Sequence, residues 1–146
     1  MRFDDIRLDE PVVVGTYPFS REEILAYARE FDPQPFHIDD AAAAASHFGG
    51  IIASGWHTAA AWMRLTVDEA KRNGRVAGIS PGLDSIEWLK PVRPDDSVTY
   101  TNVVLAKRRV ASRAGWALLS TESTGVNQHG ELVFRMRGPV FFPIDD

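Results

Sequence analysis

The sequence has no cysteine, which excludes disulfides, thiolate metal sites and a cysteine nucleophile. It also has no surplus of positive charge: 16 Lys and Arg stand against 20 Asp and Glu, a formal net charge of -4. That balance argues against nucleic acid as the main partner, although a local cluster of Arg and Lys can still meet a phosphate-bearing small molecule. No apolar run approaches the roughly 18 residues of a spanning helix, so no membrane partner is expected. The first residues, MRFDDIRLDEP, are charged from the start and lack the apolar core of a signal peptide, which makes a cytoplasmic location the default expectation. Repeats, linkers and low-complexity stretches are absent as well, so a single domain over residues 1–146 is expected. What is present is ordinary for a globular chain: 45% hydrophobic and 25% charged over 146 residues, enough to bury a real core.

Pro11 to Tyr17 (PVVVGTY) is short, β-branched and bounded by prolines, as an edge strand would be. A helix follows. Ser20 and Glu23 have the spacing of a capping box, and Phe19 and Ile24 that of a hydrophobic staple. Ile24, Tyr27, Ala28 and Phe31 recur at helical spacing and are expected to face the core. Pro33 disfavours helical geometry at Asp32, so this helix should stop just before it. Asp32 to Asp39 reads as a loop stiffened by Pro33 and Pro35. Asp39 or Asp40 then caps a short alanine helix ending near Gly49-Gly50. Ser54 opens the longest helix, which ends near Asn73-Gly74. In it Trp56, Ala60, Met63, Val67 and Ala70 follow a 4-3-4-3 spacing. Its first half is apolar nearly all round, which predicts burial on most sides.

From Gly82 the period changes to two. Leu83–Leu89, Val98–Ala106, Trp116–Val126 and Leu132–Arg137 read as strands, with hairpin turns at Asn127–Gly130 and Ala114-Gly115. One strand, then helices, then an antiparallel meander fits an α+β fold with a buried helix lying across a curved sheet.

Three features bear on chemistry. Asp32 and His37, five residues apart on the stiffened loop, are both competent proton-transfer groups that can meet around one water or substrate atom. The same residues also suit a turn cap and a packed loop histidine. Gly55 lies at the first turn of the long helix, where a backbone N–H is free and the dipole is positive, so it can stabilise a developing oxyanion. Ser54-Gly55 also reads simply as an N-cap. Finally, Lys90, Arg93, Lys107, Arg108, Arg109 and Arg113 cluster near strand ends and turns, as solvated turns or as a phosphate-binding set. His37, Asp39, His47 and His57 match no metal-ligand spacing, so no metal is expected. His57 reads as a satisfied helix histidine or as a support for the glycine donor.

DPQPFHID (Asp32–Asp39), then FGGIIASG (Phe48–Gly55), and later IEWLKPVRPDDS (Ile86–Ser97) resemble the MaoC-like dehydratases, which include the (R)-specific enoyl-CoA hydratases. The resemblance covers most of the chain. It implies a hot-dog fold, an antiparallel sheet wrapped around a long central helix, and a homodimer with acyl-CoA at the interface. It implies Asp32 and His37 as the catalytic pair and Gly55 as the backbone oxyanion donor, in reversible hydration of a 2-enoyl thioester. The expected substrate contacts are Gln34, Phe36, Ser54 and Trp56 around the pair, with Arg93 and Arg108 of the basic set for the phosphates; coenzyme A or acyl-carrier protein is part of the substrate and no separate cofactor is expected. Gln34 stands where the family commonly has Asn, Phe36 where a smaller aliphatic residue is usual, and Trp56 is large enough to shape the acyl pocket. Two other activities fit the fold: thioester hydrolysis, disfavoured because Ser54–Val67 contains no acidic residue, and non-catalytic acyl-thioester binding or assembly.

Overall fold

The computed structural model describes residues 1–146. Its elements in order are β1 (Val12–Pro18), α1 (Arg21–Phe31), α2 (Pro35–Ile38), α3 (Asp40–Ala45), α4 (Gly55–Arg72), β2 (Ser85–Trp88), β3 (Ser97–Arg109), β4 (Trp116–Val126) and β5 (Leu132–Pro143). The strands form one antiparallel sheet in the order β1-β3-β4-β5-β2, and α4 lies against its inner face. This is the hot-dog arrangement that the resemblance implies. The strands β3 and β5 run longer than alternation alone predicts, because each pairs along nearly its whole length with β4.

The helix ends follow local chemistry. Ser20 caps α1, its hydroxyl accepting from the Glu23 N–H at 3.2 Å, and Phe19 and Ile24 are fully buried beside it. The capping box is only half made, since the Glu23 carboxylate turns away to the Tyr17 hydroxyl. Asp32 is the C-cap of α1 at φ -151°, its N–H bonded to Ala28 O, as a residue before proline should be. The expected loop after it contains one helical turn, α2, with Pro35 at its start. Proline fits that position because its fixed φ is helical and the missing N–H would be unpaired anyway. Asp39 caps α3 by accepting from the Ala42 N–H. That helix stops at Ser46, short of Gly49-Gly50, where the Ser46 hydroxyl donates to Ala43 O at 2.6 Å.

The buried face of α4 is not the one its large residues mark. Trp56 is 57% and Met63 44% exposed, and Ala60 is exposed too; the residues buried against the sheet are His57, Thr58, Ala61 and Ala70. Small side chains let the helix approach closely: Tyr100, fully buried in β3, donates its hydroxyl to Thr58 O at 2.7 Å. A Cβ on Gly15 would meet Leu65 Cδ2 at 3.0 Å, so that strand crosses the helix where there is no side chain to separate them. Phe31, expected in the core, is 66% exposed, whereas Ile24 and Ala28 of the same helix are fully buried. The main core comprises Val14, Phe19, Ile24, Val98, Tyr100, Val133 and Phe134, among others. A second cluster, Ile6, Ala117, Leu119, Phe142 and Ile144, closes the far end of the sheet.

Candidate active site

The C-terminal end of α1, the single turn of α2 and the N-terminal end of α4 converge. Asp32 Oδ2 lies 3.2 Å from His37 Nε2. The other imidazole nitrogen, Nδ1, is 2.7 Å from Ile52 O. A carbonyl oxygen can only accept, so Nδ1 carries the proton and Nε2 is the nitrogen left to exchange one with the Asp32 side. His37 is 4% exposed, with the Phe36 ring edge-on at 4.5 Å. Imidazole and carboxylate are therefore fixed in orientation as well as in distance.

Asp32 is held by two further donors. Gln34 Nε2 donates to Oδ1 and Ser54 Oγ to Oδ2, both at 2.7 Å. Burial pushes the carboxyl upward, but the hydrogen bonds from Gln34 and Ser54 and the neighbouring His37 outweigh it and hold it below its usual value of 3.8. Asp32 is thus ionised throughout the neutral range. Ser54 is fully buried; its oxygen also accepts from the Trp56 N–H at 3.3 Å, capping α4. Losing a hydrogen bond to a charged group costs roughly 1.5–3 kcal/mol. Ser54→Ala is accordingly expected to raise the Asp32 pKa and to lower kcat/KM by about one to two orders of magnitude. The carboxyl shift is read by NMR titration and the rate by steady-state kinetics.

The next residue, Gly55, is the first of α4, and its N–H makes no hydrogen bond within the chain. The free, positively polarised donor therefore sits one residue from the serine that holds Asp32. The space beside the Gly55 Cα is not open. A Cβ there would meet the Trp88 indole at 2.5, 2.6 and 2.8 Å, and Trp88 Nε1 donates to Gly55 O at 2.7 Å. Glycine is required at this position because an indole covers it. Trp56 packs edge-on against the same ring at 5.1 Å.

The remaining expected contacts separate. Gln34, Phe36 and Ser54 surround the pair, and Trp56 stands at the outer wall with Trp88. Arg93 reaches back to this region, donating to Phe48 O at 2.8 Å, in the segment leading to α4. Arg108 is not brought to the site within the chain. It lies eight residues along β3 from Tyr100, beneath the first turn of α4, and at about 3.3 Å per residue that is roughly 26 Å away. Two participants left no clear mark in the sequence. Ile52 contributes only its carbonyl, and Trp88 sits on a short edge strand where its bulk reads as packing.

His57 belongs to a different cluster. It is 3% exposed, stacked on Tyr27 at 4.6 Å and met edge-on by Phe19 at 5.0 Å. Nε2 lies 3.5 Å from Glu23 Oε1, which also accepts from the Tyr17 hydroxyl. Nδ1 is buried with no partner, so this is not a satisfied helix histidine. Burial pushes the His57 pKa below 6.5, only partly offset by Glu23, and burial followed by Glu23 pushes the Tyr17 hydroxyl up to about 12. Near the ordinary imidazole value the unfolded chain therefore binds more protons at this position than the folded one. The contribution is fully present above about pH 6.5 and is lost as the pH falls below it. Thermal unfolding between pH 7.5 and 5 should show that slope, and His57→Phe should flatten it.

A long helix in an antiparallel sheet, with a carboxylate–imidazole pair against its free N-terminus, defines a hot-dog domain. Residues 5–124 match the family described as MaoC like domain, and the chain belongs to the MaoC-like dehydratase family. It is 32% identical over 124 residues to the uncharacterized protein YdeM of Bacillus subtilis (strain 168), spanning 83% of this chain and 86% of that one. Among solved structures it is similar to the MaoC-like dehydratase from Rhodospirillum rubrum, at 34% identity and a TM-score of 0.88 over 100% of this chain and 99% of the other. It shares its fold with the (R)-hydratase from A. caviae, at 24% identity and a TM-score of 0.73 over 95% and 98% of the two chains.

Proposed function

We propose that the protein is a hydro-lyase that adds water to, or removes it from, the double bond of a 2-enoyl thioester. The observation that carries this reading is the 3.2 Å pairing of Asp32 Oδ2 with His37 Nε2 beside the unpaired N–H of Gly55. Addition of water needs a group to take a proton as oxygen attacks the β-carbon and a source of a proton for the α-carbon. It also needs a donor for the negative charge that builds on the thioester oxygen. The Asp32 carboxylate and Nε2 provide the first, and the proton they take from the attacking water supplies the second when it is passed to the α-carbon from the same face; the Gly55 N–H provides the third. Family membership supports the reaction class, as does the similarity to the MaoC-like dehydratase from R. rubrum.

The substrate on this reading is an acyl thioester of the phosphopantetheine arm, carried by coenzyme A or an acyl-carrier protein, with no separate cofactor. Trp56 and Trp88 bound the reacting end, which favours a short or branched acyl group. Trp56, Met63, Leu83, Trp88 and Leu89 leave apolar surface exposed around the outer face of α4 and the free edge at β2, and an apolar patch of that kind suits a partner. The partner on this reading is a second copy joined along that face, and light scattering should return twice the chain mass.

The test is a panel of crotonyl-CoA and branched enoyl-CoAs, followed by the absorbance of the conjugated thioester. Loss of absorbance without release of free thiol is the expected result. Thiol release would instead indicate hydrolysis, and tight binding without turnover would indicate an acyl-thioester binding subunit.

A further inference from the structure

His57 stands outside the Asp32–His37 pair, yet nothing about packing calls for a histidine there. Its ring fills a cage of Tyr17, Phe19 and Tyr27 that an aliphatic or phenyl side chain would fill equally well. The imidazole brings a buried nitrogen, Nδ1, with no hydrogen-bond partner, which a hydrocarbon would not. What the histidine adds is a polar edge, and that edge faces α1. Nε2 is 3.5 Å from Glu23 Oε1, and Glu23 leaves its own capping box to take this position beneath the Tyr17 hydroxyl.

The consequence lies in where the two helices are tied. The bond from the Ser54 hydroxyl to Asp32 Oδ2 joins the end of α1 to the start of α4. The contact of Glu23 with His57 is the other polar tie, near the opposite end of α1. Nine residues separate Glu23 from Asp32, roughly 13 Å of helix. Ser54, the N-cap, and His57, in the first turn, both lie at the N-terminal end of α4. Ile24 and Ala28 seat the buried side of α1 in the core, and the polar contacts near its two ends then set its angle on α4. We propose that His57 is a positioning residue: through Glu23 and Tyr27 it fixes the angle of α1 on α4, and thereby the reach between the Asp32 carboxylate and the Gly55 N–H. Because catalysis through paired groups is sensitive to displacements of about 1 Å, a small pivot of α1 weakens the reaction without unfolding the site. The titratable and charged groups around His57 are Tyr17 from β1, Glu23, Tyr27 and Glu30 from α1, and Arg64 from α4.

This inference rests on the hydration reading, and the experiment separates the two. His57→Phe keeps the aromatic cage and removes the unpaired nitrogen; Glu23→Ala, at a half-exposed residue, removes the tie together with the acceptor of the Tyr17 hydroxyl. Both variants are expected to keep their thermal midpoint while kcat falls about ten- to a hundredfold, with KM within about twofold. The double variant should be no worse than Glu23→Ala alone, because His57→Phe cuts only a tie that Glu23→Ala has already removed. Glu23→Gln, which retains a side-chain oxygen, should recover most of the loss. Independently of turnover, the Gly55 amide and His37 imidazole resonances should move in His57→Phe. An active wild type whose variants keep full kcat, losses that multiply in the double variant, or unmoved Gly55 and His37 resonances would each overturn the positioning role. A wild type that hydrates nothing would overturn the reaction reading instead, leaving the resonance shifts to decide the role of His57.

Discussion

Asp32→Asn and His37→Asn are each expected to lower kcat for hydration by about 10²- to 10⁴-fold, the span usual for removing a positioned acid or base. The two substitutions are chosen for what they keep. An asparagine at 32 has the shape of the aspartate but no charge, and it presents an amide nitrogen on one of the sides where Gln34 and Ser54 now donate. Asparagine at 37 can still donate to Ile52 O from near the position of Nδ1, yet it offers nothing in place of Nε2. Thermal midpoints close to wild type, together with lost turnover, would assign the loss to chemistry. Because the two groups work as one unit, the double variant should lose little more than the more damaging single variant. Full activity in either would remove the pair from the reaction.

The second large effect is expected at Gly55. Gly55→Ala places a methyl group 2.5–2.8 Å from three atoms of the Trp88 indole, so either the ring or the first turn of α4 must move. Loss of a single oxyanion donor costs about 10²- to 10³-fold in kcat, and a displaced Gly55 N–H should approach that range. The origin of the loss can be tested directly. Adding Trp88→Leu to Gly55→Ala removes the obstruction, and recovery of at least part of kcat would show that the indole, not the methyl group's effect on the substrate, displaces the donor. Undiminished kcat in Gly55→Ala would end the oxyanion assignment. Trp88→Leu alone should widen the accepted acyl groups, read as a shift in kcat/KM toward bulkier enoyl thioesters.

Much of the fold was legible from local patterns. Ser20 caps α1, Pro33 stops it, Ser54 opens α4 and the alternation after Gly82 sets the meander, because each of these rests on backbone geometry within a few residues. The resemblance located Asp32, His37 and Gly55, and the structure brings these residues together at the junction of α1, α2 and α4. The face of α4 was not legible. The spacing of Trp56, Ala60 and Met63 shows that the segment is a helix, but which side is buried depends on how closely the sheet approaches. Small Thr58 and Ala61 decide that. Glu23 carried a capping signal and was drawn instead to Tyr17 and His57, because a partly buried hydroxyl and an imidazole compete for its oxygens.

By itself, then, the sequence determined where α1 and α4 begin, where α1 stops, the order of helices and strands, and which residues carry a carboxylate, an imidazole and a helix-start amide. Those properties belong to each residue and its near neighbours. Only the tertiary structure decided that Ile52 O sets the tautomer of His37, that Ser54 grips Asp32, that Trp88 enforces glycine at 55 and that Arg108 stays away. Each of these is a contact, or a separation, between residues at least 15 positions apart in the chain. No local preference specifies such distances until the sheet has closed around α4.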